Sequence, residues 1–159
     1  MEIIIKKMET EDEIQGKAFV HWSGWHEAYP GLVRAEYLEK LTLQKCTEMA
    51  FQWRDNILVA KDGERVVGFV GYGNHGESEP DVGEVFALYI LSEYYGTGLG
   101  RRLMDAALEQ LPYPKIVLWM VDGNGRAMRF YEKYGFHPTG REKHVTSVGA
   151  EGVELMLIR

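Results

Sequence analysis

The spacing of apolar positions changes along the chain, and each change marks an element. Ile3-Ile4-Ile5 is a short β-branched run and predicts a first strand. Thr10-Glu11-Asp12-Glu13 follows. Thr10 can cap a helix while Glu13 reaches back to it, which makes a capping box. The helix opened there should run towards Tyr29, where Pro30-Gly31 breaks it. "RAEYLEKL" and "LQKCTEMAFQW" carry Leu and aromatic residues at helical spacing and predict two more short helices. The period then shortens. "NILVAK" and "RVVGFVGYG" are β-rich runs joined by Asp62-Gly63, a strong hairpin signal. After the polar loop "HGESEPDVG", the continuous apolar run "EVFALYIL" predicts a strand buried on both faces. In "RRLMDAALEQL", Leu103, Met104, Ala107, Leu108 and Leu111 share a helical face, and Pro112 and Pro114 end that helix. "KIVLWMV" reads as a buried strand, and "GNGRAMRFYEKYGF" as a loop and a helix that stops at Gly135. "FHPTGREKHV" and "VELMLIR" should close the chain as antiparallel neighbours. The unit from Val85 to Val121 is strand, helix, strand, so its two strands should pair in parallel.

The chain has 159 residues, enough for one domain (1–159) with a sizeable core. With 45% hydrophobic and 26% charged residues it is ordinary for a soluble globular protein. No apolar run is long enough to cross a membrane, and "MEIIIKKMETEDE" has no signal-peptide pattern. One cysteine, Cys46, allows no internal disulfide and fits a cytoplasmic location. The net charge of −6 argues against nucleic acid and favours cationic partners. The histidines show no ligand spacing, and Asp122-Gly-Asn124-Gly-Arg126 breaks at Arg126 as a calcium loop, so no metal is expected.

The chemistry concentrates in "YYGTGLGRRL", where Gly96, Gly98 and Gly100 stand between a strand and a helix. Such a turn leaves backbone N–H groups free at a helix N-terminus, which is an anion site. Arg101 and Arg102 add positive charge at its mouth. A dinucleotide fingerprint fails, because its third glycine would fall on Arg101, and the P-loop pattern is absent.

The segment resembles motif A of the GNAT superfamily of acetyl-CoA-dependent N-acetyltransferases, Gln/Arg-x-x-Gly-x-Gly/Ala. It reads Tyr95-Gly96-Thr97-Gly98-Leu99-Gly100, with Tyr95 in place of Gln or Arg. "NGRAMRFYEKYGF" is similar to the family's motif B, matching at Asn124, Ala127, Phe130, Tyr131, Glu132, Lys133, Gly135 and Phe136. "HWSGWHEAYPGLVRAEYLEKL" resembles the W-x-x-AY-x-GL segment of bacterial members. The resemblance spans nearly the whole chain and does not identify an acceptor.

The resemblance implies an α/β (α+β) GNAT fold: a mixed, twisted sheet of about seven strands flanked by helices, with a splayed parallel pair at the cofactor site. It implies that Leu88, Tyr89 and Ile90 meet pantetheine and that Tyr95 to Arg101 (Tyr95, Gly96, Thr97, Gly98, Leu99, Gly100, Arg101) hold the pyrophosphate of acetyl-CoA, the co-substrate. Tyr131 stands where the family's general acid stands, and Glu84 where many members carry a base. Each has a plainer reading, as a packed phenol and as an exposed strand-start carboxylate. Asn124 can cap the motif B helix and contact CoA. Trp22, Trp25 and Tyr29 recur at i, i+3 and i+7, a spacing that suits plain core as well as an acceptor wall. Phe51 and Trp53 are further candidates for that pocket. The expected partner is a small-molecule or peptide amine, and the resemblance also allows a homodimer. The rivals are a non-catalytic acyl-CoA-binding module on the same fold and a nucleotide-dependent Rossmann protein.

Overall fold

Seven strands form one mixed sheet in the computed structural model, which describes residues 2–76, 78–146 and 148–159. In chain order the elements are β1 (Ile3–Lys7), α1 (Glu11–Ala28), α2 (Ala35–Lys40), α3 (Leu43–Gln52), β2 (Ile57–Asp62), β3 (Arg65–Asn74), β4 (Val82–Ile90), α4 (Leu99–Glu109), β5 (Lys115–Val121), α5 (Gly125–Tyr134), β6 (His137–Val145) and β7 (Ala150–Ile158). A single 3-10 turn, Ser92–Tyr94, lies between β4 and α4. The strands are ordered β1-β2-β3-β4-β5-β7-β6. Only β4 and β5 pair in parallel, with α4 as their crossover, as the sequence pattern requires. Glu77, inside the loop before β4, lies outside the described residues.

The capping box forms as read. Thr10 Oγ1 accepts the Glu13 N–H at 3.1 Å, and Glu13 Oε1 accepts the Thr10 N–H at 3.1 Å. Glu13 is buried, and it also takes Lys6 Nζ at 2.7 Å and Lys61 Nζ at 3.2 Å, so it ties α1 to β1 and β2. Burial pushes the Glu13 carboxyl up, but hydrogen bonds from Lys6, the Glu9 and Thr10 N–H groups and Lys61 outweigh this and bring it down to about 2.

The helices divide between the two faces of the sheet. α4 buries Leu103, Met104, Ala107 and Leu108, the stripe expected of it. α1 covers the opposite face of β3, and α3 packs against α1. Gly24 lets α1 settle onto β4, because a Cβ there would stand 2.8 Å from the Tyr89 ring.

One expectation is overturned. β4 is not buried on both faces; Val82, Gly83 and Val85 are buried, but Phe86 is 55% exposed and Ala87 to Ile90 are only half-buried. The strand with a continuous buried run is β3, from Val66 to Gly73. The reason is topological. β3 has a full neighbour on each side, whereas β4 loses β5 after a few residues.

Candidate active site

β4 and β5 are partners only at Val82–Lys115, Gly83–Ile116 and Glu84–Val117. Beyond that point β5 stays fully paired with β7 and β4 with β3, so the two parallel strands part and open a cleft. The backbone edge of β4 from Val85 to Ile90 faces this gap without a strand partner. A bulge adds to the opening: the register with β3 shifts between Gly71 and Tyr72 and leaves Phe86 unopposed.

The glycine turn lies at the far end of β4. Tyr94 is buried and donates its hydroxyl to Asp62 Oδ2 at 2.6 Å, and Thr97 Oγ1 donates to the Tyr94 carbonyl at 2.6 Å. These bonds fix the turn from below. Gly96 and Gly98 have φ of +77° and +85°, the left-handed region that favours glycine. Gly98 is the N-cap of α4 and has no side chain to satisfy the first turn. The first bond into the helix is Arg102 N–H to the Gly98 carbonyl, so the N–H groups of Leu99, Gly100 and Arg101 have no acceptor among the described residues. An added Cβ at Gly96 or Gly98 would meet nothing within 4 Å. The turn is therefore an open cradle of donors at the positive end of a helix, the fit expected for a phosphate group.

Arginines surround it unequally. Arg102 turns away and donates to the Ile3 carbonyl at 2.8 Å. Arg101 lies over the Tyr134 ring at 4.8 Å. Arg126, in the first turn of α5, stacks on Tyr95 with its guanidinium 3.6 Å from the ring centroid. Asn124 caps α5, accepting the Ala127 N–H at 3.2 Å.

Three phenols cluster where α5 and α1 approach β4. Tyr29 and Tyr89 share a hydrogen bond at 2.9 Å. Tyr131 packs edge-on against Phe130 and Phe136, and its hydroxyl makes no hydrogen bond among the described residues. Burial, with Tyr29 nearby, raises the Tyr131 hydroxyl well above its ordinary value, so it stays protonated and is a donor at neutral pH. Glu84 sits where β4 leaves β5, half-buried, with His75 Nδ1 2.5 Å from its Oε1.

Beside the bulge, under α1 and α3, is a cavity of about 450 Å³. Trp25, Phe69, Phe86, Ala87 and Tyr89 form apolar walls, Lys17 and His21 contribute nitrogen, and Trp53, Asp55 and Asn56 stand at its exposed rim. Burial, reinforced by Lys17, brings the His21 imidazole down to about 4, so it is neutral.

The Acetyltransferase (GNAT) family model matches residues 19–136, most of the chain. The chain is a GNAT-family acetyltransferase. An uncharacterised N-acetyltransferase of Archaeoglobus fulgidus is 34% identical over 116 residues, covering 66% of this chain and 76% of that protein. A protein named a probable N-acetyltransferase in Mycobacterium tuberculosis is 27% identical over 132 residues, covering 78% and 74%. Among solved structures, the PaiA N-acetyltransferase from Thermoplasma acidophilum in complex with coenzyme A aligns over 100% of both chains with a TM-score of 0.75 at 20% identity, a likeness of fold.

Within this GNAT fold, the residues singled out from sequence separate into groups. Tyr95 to Arg101 form the cradle, and Leu88, Tyr89 and Ile90 lie on the free edge of β4. The Tyr89 side chain turns to α1 and lines the cavity with Trp25. Tyr29 caps α1 and does not line the cavity, but it touches two of its walls, Tyr89 by a hydrogen bond and Trp25 edge-on at 4.7 Å. Trp22 does not line the cavity; it faces a separate hollow with His26, Leu38 and Leu41. Trp53 reaches the rim, whereas Phe51 does not line the cavity. Glu84 is engaged by His75 instead of lining the cavity. Sequence reasoning passed over Lys17, His21, Phe69 and Arg126. Lys17, His21 and Trp25 do share the i, i+4, i+8 face of α1, a spacing that could have shown them.

Proposed function

We propose that the protein transfers the acetyl group of acetyl-CoA to a primary amine by direct attack. The observation that carries this reading is the parting of β4 from β5 directly behind a helix N-terminus with unpaired N–H groups. Pantetheine pairs with the free edge of β4 at Leu88 to Ile90, and the pyrophosphate sits on the Tyr95–Arg101 turn. A backbone N–H of β4 beside the Phe86 bulge polarises the acetyl carbonyl. The amine nitrogen attacks that carbon, the C–N bond forms and the C–S bond breaks. The amine proton leaves to Glu84, which His75 orients, through an intervening water. The departing sulfur takes its proton from the Tyr131 hydroxyl.

The test is thiol release from acetyl-CoA with a panel of polyamines, amino acids, aminoglycosides and short peptides. Amine-dependent release supports transfer, and its absence with acetyl-CoA still bound favours a binding module. Tyr131→Phe should lower kcat about a hundredfold or more with little change in KM for acetyl-CoA. An unchanged kcat would remove Tyr131 as the acid.

A further inference from the structure

We propose that Lys17 is the carboxylate-binding residue of the cavity under α1, so that the acceptor is an amine carrying a carboxylate on an apolar body. The proposal rests on the transferase reading for the acceptor's role, but not for the binding itself.

The argument begins with a contrast among the buried charges. Glu13 is enclosed by Lys6, Lys61 and two backbone N–H groups. Glu154 Oε1 accepts the Thr139 hydroxyl at 2.8 Å, and its Oε2, which takes no hydrogen bond among the described residues, still has the Arg141 guanidinium at 3.4 Å. Lys17 is 7% exposed and has neither a hydrogen bond nor an ion pair among the described residues. Its ammonium lies over the Phe69 ring, 4.8 Å from the centroid. Burying a charged amine without an anion is costly, so burial draws the Lys17 amine below its ordinary value, and an anion bound in the cavity offsets that cost. One turn further along α1, His21 is also nine-tenths buried, and its Nδ1 has no hydrogen-bond partner among the described residues. Both nitrogens belong to the wall of the same cavity. They are polar atoms waiting for a partner in a space otherwise lined by rings and methyl groups.

The groups around Lys17 do not supply that partner. Cys46 is a buried thiol held protonated by its burial. Asp55 stands at the exposed rim and forms no ion pair with Lys17. Tyr72 and Tyr89 are phenols raised by burial and remain neutral. Inside the rim, the wall that holds Lys17 and His21 has no acceptor oxygen with negative charge, since Asp55 stands at the exposed mouth. A volume of about 450 Å³ suits a molecule of amino-acid size, with its apolar part against Trp25, Phe69 and Ile57. The net charge of −6 does not oppose this, because it is spread over the surface while the interior of the cavity carries the ammonium.

The experiment titrates the protein with 3-phenylpropanoate and with 3-phenylpropanamide, reading the change in tryptophan fluorescence, to which Trp25 and Trp53 at the cavity respond most directly. Neither probe has a reactive amine, so binding is measured whether or not the protein turns over. The carboxylate should bind wild type about tenfold or more tighter than the amide, Lys17→Met should abolish the difference, and Lys17→Arg should keep part of it. Equal binding of the two probes to wild type, no binding of either, or a carboxylate preference that survives in folded Lys17→Met would each overturn the proposal. The wild-type comparison needs no variant. A failure of amine-dependent thiol release, with the carboxylate preference intact, would count against the transferase reading and leave the carboxylate site standing.

Discussion

The glycine turn and the cavity under α1 both border β4, but they are made of different material. The turn is backbone: unpaired N–H groups, two left-handed glycines and a helix end, with an open space where side chains would be. The cavity is side chain: rings from α1, β3 and β4, and two buried nitrogens. A backbone site constrains sequence sharply, because only glycine satisfies it. A side-chain site can be assembled from almost any apolar residues with one or two polar groups among them. On the proposed reading, the first takes the part of the ligand common to many enzymes and the second the part that differs.

The largest expected effect tests the side-chain site. His21 is buried neutral, with its pKa near 4 in place of the ordinary 6.5. The unfolded chain takes up a proton first as pH falls, so acidification favours unfolding. The loss begins near pH 6.5 and is complete near pH 4, and it amounts to something on the order of 3 kcal/mol. Urea denaturation of wild type and His21→Gln across this window isolates it, since Glu13 and the other carboxylates titrate in both proteins. A parallel pH profile for the two proteins would mean that His21 is reached by solvent, and the cavity would be looser than its walls suggest.

This contrast also explains what the sequence made legible. The order of elements, the capping box at Thr10 and Glu13, the parallel unit and the cradle all rest on local rules of spacing, turn chemistry and glycine conformation. The cavity rests on which faces meet. Lys17 and His21 on α1 look like ordinary members of an amphipathic helix until Phe69 and Tyr89 arrive from distant strands. Trp22 illustrates the same limit. Its spacing from Trp25 suits plain core as well as a shared wall, and Trp22 packs on the core and faces a hollow of its own with Leu38 of α2. The apolar run of β4 looks doubly buried in sequence because composition says nothing about where its neighbour departs.

On the backbone side, Gly98→Val should raise KM for acetyl-CoA about ten- to a hundredfold, the cost of losing one charge-assisted hydrogen bond to phosphate. The variant has to hold φ near +85°, which costs an L-residue about 1–2 kcal/mol, so the loop should shift and not merely fill. Circular dichroism should still show the folded protein, because an added Cβ meets no neighbour. Unchanged cofactor affinity in that folded variant would sink the backbone cradle.

The smallest effect sharpens the comparison most, because it lies where the two materials meet. Tyr95 occupies the position at which the family's motif carries Gln or Arg, and Arg126 lies flat on its ring. If the guanidinium replaces the missing side chain, Arg126→Ala should weaken CoA binding by severalfold, about 1 kcal/mol, and the loss should shrink in high salt. Arg126→Lys should recover little, because an ammonium lacks the planar face that keeps the guanidinium on the ring. Calorimetric titration of CoA into the three proteins at two salt concentrations decides it. Wild-type affinity in Arg126→Ala would show that the N–H groups of Leu99, Gly100 and Arg101 hold the phosphates unaided. The cofactor site would then be a backbone site throughout, and Tyr95 would be tolerated because its side chain has no part in binding.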